Sequence, residues 1–407
     1  MSDIVLSASV RQNLLSLQST ADLLSTTQNR LATGKKVNTA LDNPTNFFTA
    51  QSLDNRASDI NNLLDGIGNG VQVLQAANTG ITSLQKLVDT AKSIANQVLQ
   101  SPVGYTSKAN VDVTGTGTGT GTTVATDLNA GKLGGSVLTF KTSSGTLAVT
   151  IGSTFATGTG TATVKTLDQL NSVLASNGVA VTAALSSTAD TLTFTSTNDA
   201  ASQTITKSGT APTGAGVDIT AATATVGTVN AAVADPTSQT TRANLVSQYN
   251  AVIQQITTTA QDSSFNGVNL LNGDNLKLTF NETGKSTLNI TGVTFDAAGL
   301  GLGSLTAGTD FLDSNSANSI ITSLSNASST LRSEASSLGS NLSVVQIRQD
   351  FSKSLINVLQ TGSSNLTLAD TNEEAANSQA LSTRQSIAVS ALALANQSQQ
   401  SVLQLLR

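Results

Sequence analysis

The sequence predicts a mainly α-helical fold with a β-rich insertion. Long helices from the two termini pair as an antiparallel coiled coil, and the middle forms a Thr/Gly-rich β or α+β domain. Three observations carry this. Apolar residues recur at alternating steps of three and four toward both ends of the 407-residue chain. Residues 101–240 are rich in Thr, Gly and Ala and contain neither Arg nor Glu. The two ends resemble each other in composition more than either resembles the middle, as expected when the termini pair and an insertion occupies the centre.

The first predicted helix carries Leu14, Leu17, Ala21, Leu24, Gln28 and Leu31 on one stripe. The second is longer, running from Leu53 through Ile60, Leu64, Ile67, Val71, Leu74 and Ile81 to Val98. A 3-4 pattern sustained that far is a heptad stripe, not the face of an ordinary globular helix. Gly66, Gly68 and Gly70 fall inside it, each costing about 1 kcal/mol relative to Ala, so close packing or a bend is expected there. In the middle segment Val137–Phe140, Leu147–Ile151 and Thr191–Thr195 read as strands, with a helix-like stretch at Thr166–Ser176. The almost pure Gly-Thr run Thr114–Thr123 reads as a loop or linker. A shorter helix then carries Leu245, Tyr249, Val252 and Ile256, followed by a strand-like stretch near 276–311. The third long helix offers Ile321, Leu324, Leu331, Leu338, Leu342, Val345, Ile356 and Leu359. A last one follows Gly362 and Asp370, with Leu381, Ile387, Ala391, Leu394, Val402 and Leu405. The terminal helices hold Ala, Ser, Gln and Asn where a self-sufficient core would hold Phe or Met, and few charges to solvate an outer face. Such helices are expected to finish their burial only between subunits.

Composition narrows the chemistry. There is no His, Cys or Trp, which excludes most zinc sites, cysteine nucleophiles, Ser-His-Asp triads and disulfides. A net charge of −5 with scattered basic residues gives no nucleic-acid footprint. No run approaches the ~18 apolar residues of a membrane helix. The opening MSDIVLSASVRQNLLS lacks a basic segment followed by an apolar one, so a cleaved secretory signal is not expected. Gly284-Lys285-Ser286 has Thr279 where a phosphate-binding loop requires Gly, and reads as a turn between strands. Asp370, Glu373 and Glu374 fit the capped start of a helix better than a metal or acid–base cluster. No catalytic residue, metal ligand or cofactor site emerges, and no enzymatic activity is expected.

Three separate segments carry a family resemblance. Arg30-Leu-Ala-Thr-Gly34-Lys-Lys-Val-Asn38, with the turn Asp42-Asn43-Pro44-Thr45 after it, resembles the RLSSGxRINSA segment of bacterial flagellins. Ser264-Phe-Asn-Gly-Val-Asn-Leu-Leu271 resembles their FNGxxLL hairpin entry. Ala395-Asn396-Gln397 with Ser401-Val402-Leu-Gln-Leu405-Leu406-Arg407 is similar to the flagellin ending ANQxxQxVLxLLR. The resemblance implies a filament subunit with an inner coiled-coil domain from 1–43 and 365–407 and a rod-like packing domain from 44–105 and 241–364. A β-hairpin lies in the latter near 264–295, and 106–240 forms an outer, surface-exposed domain whose Ser and Thr residues are open to O-linked glycans. It implies self-polymerisation through Leu14, Leu17, Leu24, Arg30, Leu31 and Gly34 of the first helix and Leu64, Ile67, Val71 and Leu74 of the second. Leu338, Leu342 and Val345, and then Ile387, Leu394, Asn396, Gln397, Val402, Leu405 and Leu406, complete the implied interface.

The implied partners are further copies of the chain, other flagellins, the flagellar type III export apparatus with a chaperone, and hook-associated and cap proteins. The implied place is the extracellular filament, with neither nucleic-acid binding nor membrane insertion. A hook–filament junction protein shares the paired-terminal plan and is the nearest rival. A secreted adhesin with a coiled-coil stalk is the more distant one.

Overall fold

The computed structural model describes residues 8–405, with the side chains of residues 8, 9, 399 and 402–405 outside the description. Six helices are present: α1 (Ala8–Thr33), α2 (Pro44–Gln100), α3 (Leu167–Ser176), α4 (Pro236–Asp262), α5 (Ser314–Thr367) and α6 (Thr371–Leu405). The fold is mainly α with a β-rich insertion, as the periodicity predicts. The described residues divide into two compact units, one from the ends of the chain (to residue 72, 277–290 and from 341) and one from 73–276 and 291–340.

In the first unit α1 packs along α6. The C-terminal end of α1 meets the N-terminal end of α6, so the two run antiparallel. Arg30 Nη1 lies 3.3 Å from Glu374 Oε1. The Lys36 and Val37 N–H groups both donate to the Thr367 carbonyl, and Ala369 N–H donates to that of Gly34. Gly34 turns the chain with φ +68°, a conformation that glycine adopts without the Cβ clash. Asp370 caps α6 by accepting from the Asn372 N–H at 2.9 Å. Asn43 does the same for α2, taking the Asn46 N–H at 3.0 Å, with Pro44 at the first helical position where no donor is missed. Ala57 and Ile60 of α2 bury against Ile356 and Leu359 of α5, flanked by Leu53, Leu64 and Leu355. Neither Gly66–Gly70 nor Gly362 breaks its helix. Gly70 alone of that triplet is a close approach, since a Cβ there would sit 2.4 Å from Leu278 Cδ2.

The second unit contains the rest of α2, all of α4 and the first half of α5, each burying one stripe. Leu74, Ile81, Leu84, Val88 and Val98 lie on α2, Leu245, Tyr249, Ile253 and Ile256 on α4, and Leu324, Leu331 and Leu338 on α5. The loop after α4 turns at Asn266 and Gly267, φ +50° and +80°. Strands Asn275–Thr279 and Thr287–Thr291, which fall mostly in the first unit, pair as a hairpin with Gly284 in its turn at φ +70°.

Between α2 and α4 lies the β-rich domain. Its first sheet takes Ala156–Gly158, Thr161–Val164, Gly145–Ile151, Val137–Thr142, Gly216–Ala222 and Thr204–Thr206 in that spatial order. Its second takes Ala224–Asn230, Asn110–Gly115, Thr191–Ser196 and Val181–Leu185. Alternation sends Val111, Val113, Leu138, Phe140, Val149, Ile151, Leu192, Phe194, Val217 and Ile219 into one core. Phe140 of the first sheet meets Phe194 of the second edge-on, centroids 5.3 Å apart. α3 closes that core with Leu170, Val173 and Leu174, and starts on a capping box between Thr166 and Gln169.

Beyond Gly115 the Gly-Thr run is a loop, as its composition suggests, and it is packed against a second backbone segment. Cβ atoms at Gly115, Gly117, Gly119 and Gly121 would fall within 2.7 Å of backbone atoms of residues 130–133, while Thr116, Thr118 and Thr120 face solvent. Gly117 N–H donates to Lys132 O and Gly121 N–H to Ala130 O. Every second residue is glycine because two backbones touch there.

Asp218 is fully buried in this domain and accepts from Thr206 Oγ1, Ser208 N and Oγ, and Gly209 N. Burial pushes its carboxyl pKa up, but the donors outweigh burial and the net shift is down. The stabilisation is therefore present above the unfolded carboxylate value, about 4, and is lost as pH falls through the depressed folded value. Acid melting should show a flat melting temperature above about pH 5 and a decline below about pH 4. Asp218→Asn should melt lower at neutral pH and lose part of that acid decline.

The neck of the domain is bonded at three places. Gly104 O accepts the Asp235 N–H and Gln239 Nε2, joining the outgoing and returning strands. Arg242, 3% exposed, donates Nε and Nη2 to Pro102 O and Nη1 to Phe311 O at 2.7 Å. Asp313, at the start of α5, accepts Ser202 Oγ at 2.5 Å and the Ser316 N–H at 3.0 Å, while Asn315 N–H donates to Asp199 O.

The chain's two tyrosines border this region. Burial and then the Asp310 charge push Tyr249 up to about 12, where it sits edge-on to Phe311. Burial also raises Tyr105, with Asp313 adding to the shift and Arg242 opposing it. Tyrosinate absorbance should consequently be under half-developed at about pH 10. Because the folded values are raised, the associated stability is complete below about pH 10 and lost as pH climbs toward about 12.

Candidate self-assembly surfaces

The candidate assembly surfaces are the helix faces left over after each unit has filled its core. Among the residues that the sequence points to, Leu14 and Leu31 on α1 and Ile387, Leu394, Asn396 and Gln397 on α6 are exposed, Ile387 at 64% and Leu394 at 68%. Leu17, Leu24, Arg30 and Gly34 are half-buried, as are Leu64 on α2 and Leu342 on α5. Ile67, Val71, Leu74, Leu338 and Val345 are buried inside their own units and present no surface in this conformation. Leu406 lies outside the described residues, as do the side chains of Val402 and Leu405.

Larger exposed apolar groups lie off the stripes that periodicity picks out. On α1 these are Leu15 and Leu23, and on α6 Val389. On α5 Val344, Ile347, Phe351 and Val358 stay in water at steps of three, four and seven, on a different face from buried Val345, Ile356 and Leu359. α5 therefore carries two apolar faces where a surface helix needs one. The signal was in the sequence as a second 3-4-7 series, masked by the stronger one. Leu41, Phe48 and Leu368 complete the exposed set around the α1–α2 connection.

That connection is held in place. Asp42 Oδ2 accepts the N–H groups of Asn38 and Thr39 at 2.9 and 2.8 Å and the Thr39 hydroxyl at 3.1 Å. These bonds, those from the Thr39 and Asn38 backbone foremost, hold the Asp42 carboxyl below the usual carboxylate range. Nearby, Arg56 Nε pairs with Glu282 at 2.8 Å, and Arg348 lies 5.6 Å over the Phe280 ring. Among the described residues no cluster of acidic side chains is arranged to hold a metal ion, and no helix is long and apolar enough to cross a membrane.

Both ends of the chain match known protein regions, in order. Residues 5–112 match the bacterial flagellin N-terminal helical region, and 321–406 the bacterial flagellin C-terminal helical region. Both ends of the chain are similar to those of bacterial flagellins. Flagellin FljM of Caulobacter vibrioides is 35% identical over 165 residues, covering 40% of this chain and 59% of that protein. Flagellin FljK of the same organism is 34% identical over the same shares. Flagellin A of Rhizobium meliloti is 38% identical over 88 residues, 22% of each chain. The chain thus spans about three fifths of the length of the Caulobacter flagellins it matches. The two helical-region matches take in α1, α2, most of α5 and α6, and leave residues 113–320 outside them.

Proposed function

We propose that this chain is a structural, non-enzymatic subunit that polymerises with copies of itself into the extracellular flagellar filament that drives swimming. The observation that carries this reading is the surface of α1 and α6. The two helices pair with each other and still leave Leu15, Leu23, Ile387 and Leu394 in water. Exposed apolar faces of that extent mark contact with a further partner, and each Å² removed from water is worth roughly 25 cal/mol. Contacts between unlike faces of successive copies generate an open helical polymer.

In this reading 1–43 and 365–407 form the innermost layer, 44–105 and 241–364 the packing layer, and 106–240 the outward domain. A lone stripe of small residues does not offset the ordering entropy of a long helix, so polymerisation completes the folding of the terminal helices. Passage through a type III export channel, a dedicated chaperone, hook-associated neighbours and a cap at the growing tip belong to the same proposal.

Fragments of filament added to purified chain, followed by electron microscopy, test it. The intact chain should grow long filaments, and a variant ending at residue 364 should grow none. Short closed rings from the intact chain would instead support a hook–filament junction protein.

A further inference from the structure

Leu41 is 96% exposed, yet its loop is hydrogen-bonded on both sides. On one side Asp42 holds Asn38 and Thr39, and on the other Lys36 and Val37 bond to Thr367 while Ala369 bonds to Gly34. Val37 is buried and fastens the loop from beneath. An apolar side chain held in water on a fixed backbone loses little freedom when a partner covers it, which is the property of an interface anchor.

The loop carries a charge pattern as well: Lys35 and Lys36 are exposed beside it and form none of the described salt bridges. A concave face on α2 has the complementary character. Phe48, Ser52, Arg56, Asp59 and Glu282 line this shallow depression, and Phe48 is 60% exposed. Arg56 is engaged by Glu282, which leaves the carboxylate of Asp59, and of exposed Asp54 nearby, to set the sign of the surface.

We propose that Leu41 of one copy seats in the Phe48–Asp59 groove of a second copy, with Lys35 and Lys36 over its acidic edge. The proposal rests on the filament reading and deepens it by naming one heterologous contact. The occupant is a second copy because knob and groove are complementary in polarity and charge, and because Leu41 stands free of its own copy's surface. Each subunit carries both halves, so the contact repeats without closing on itself.

The chain has no cysteine, so cross-linking reads the contact cleanly. Leu41→Cys and Ser52→Cys chains, purified separately and given different mass tags, are co-assembled on filament fragments and oxidised. A disulfide joining the two tags is the expected result, and its absence overturns the proposal. In parallel, Leu41→Asp should raise the subunit concentration needed for growth by about tenfold or more, with an unchanged melting curve. Wild-type growth of Leu41→Asp also overturns it. If the unaltered chain fails to grow at all, the filament reading fails instead, so the two failures are told apart.

Discussion

Arg242→Ala should destabilise the unit formed by 73–276 and 291–340 by about 3 kcal/mol, lowering its melting temperature by roughly 6–12 °C. The guanidinium is enclosed and makes all its bonds to backbone carbonyls, two to Pro102 and one to Phe311. Burial pulls its pKa below the ordinary guanidinium value, and Asp313 and Tyr105 oppose that shift. Removing it leaves carbonyl oxygens without a donor at the neck of the β-rich domain, and such groups cost about 1–3 kcal/mol each. Arg242→Lys keeps the charge but presents a compact amine in place of a planar fork, and should recover less than half of the loss. Urea unfolding followed by circular dichroism, with proteolysis at 101–105 and 232–236 as a local readout, measures both. A change below about 0.5 kcal/mol for Arg242→Ala would show that the paired strands and Asp313 hold the neck without it.

Gly119→Val should cost about 2–3 kcal/mol and act on the β-rich domain alone. Its Cβ would meet Gly131 O at 2.3 Å and Gly131 C at 2.7 Å, and both are backbone atoms with nowhere to move except away from the run. Thr118→Val, one residue away and exposed, is the matched control and should be neutral within about 0.5 kcal/mol. Thermal unfolding of the two variants separates the possibilities. Equal stability would mean that the run is a linker after all. A loss confined to Gly119→Val would make the glycine spacing a packing requirement.

Why the helices could be read and other features could not follows from where their partners lie. The Leu53–Val98 and Leu324–Leu359 stripes are visible because side chains meet side chains, and one dimension of sequence records that as a 3-4 period. Arg242 bonds only to backbone, which every residue has, so nothing in its neighbours marks it. The close packing of the Gly-Thr loop was hidden for the same reason, because glycine that makes room for a backbone looks identical to glycine that confers looseness. Assembly residues were partly legible. Periodicity finds apolar positions, but it does not say which are used within the subunit. Ile67, Leu74, Leu338 and Val345 are so used, whereas Ile347 and Phe351 are not. Leu41 belongs to no period at all, and only its exposure on a fixed loop distinguishes it.

The alternation of glycine with threonine also divides the run into two mutational classes. Positions 115, 117, 119 and 121 are closed to every residue with a Cβ, whereas 116, 118 and 120 point into solvent. Selection can therefore rewrite every other letter of this surface while the fold beneath it is untouched.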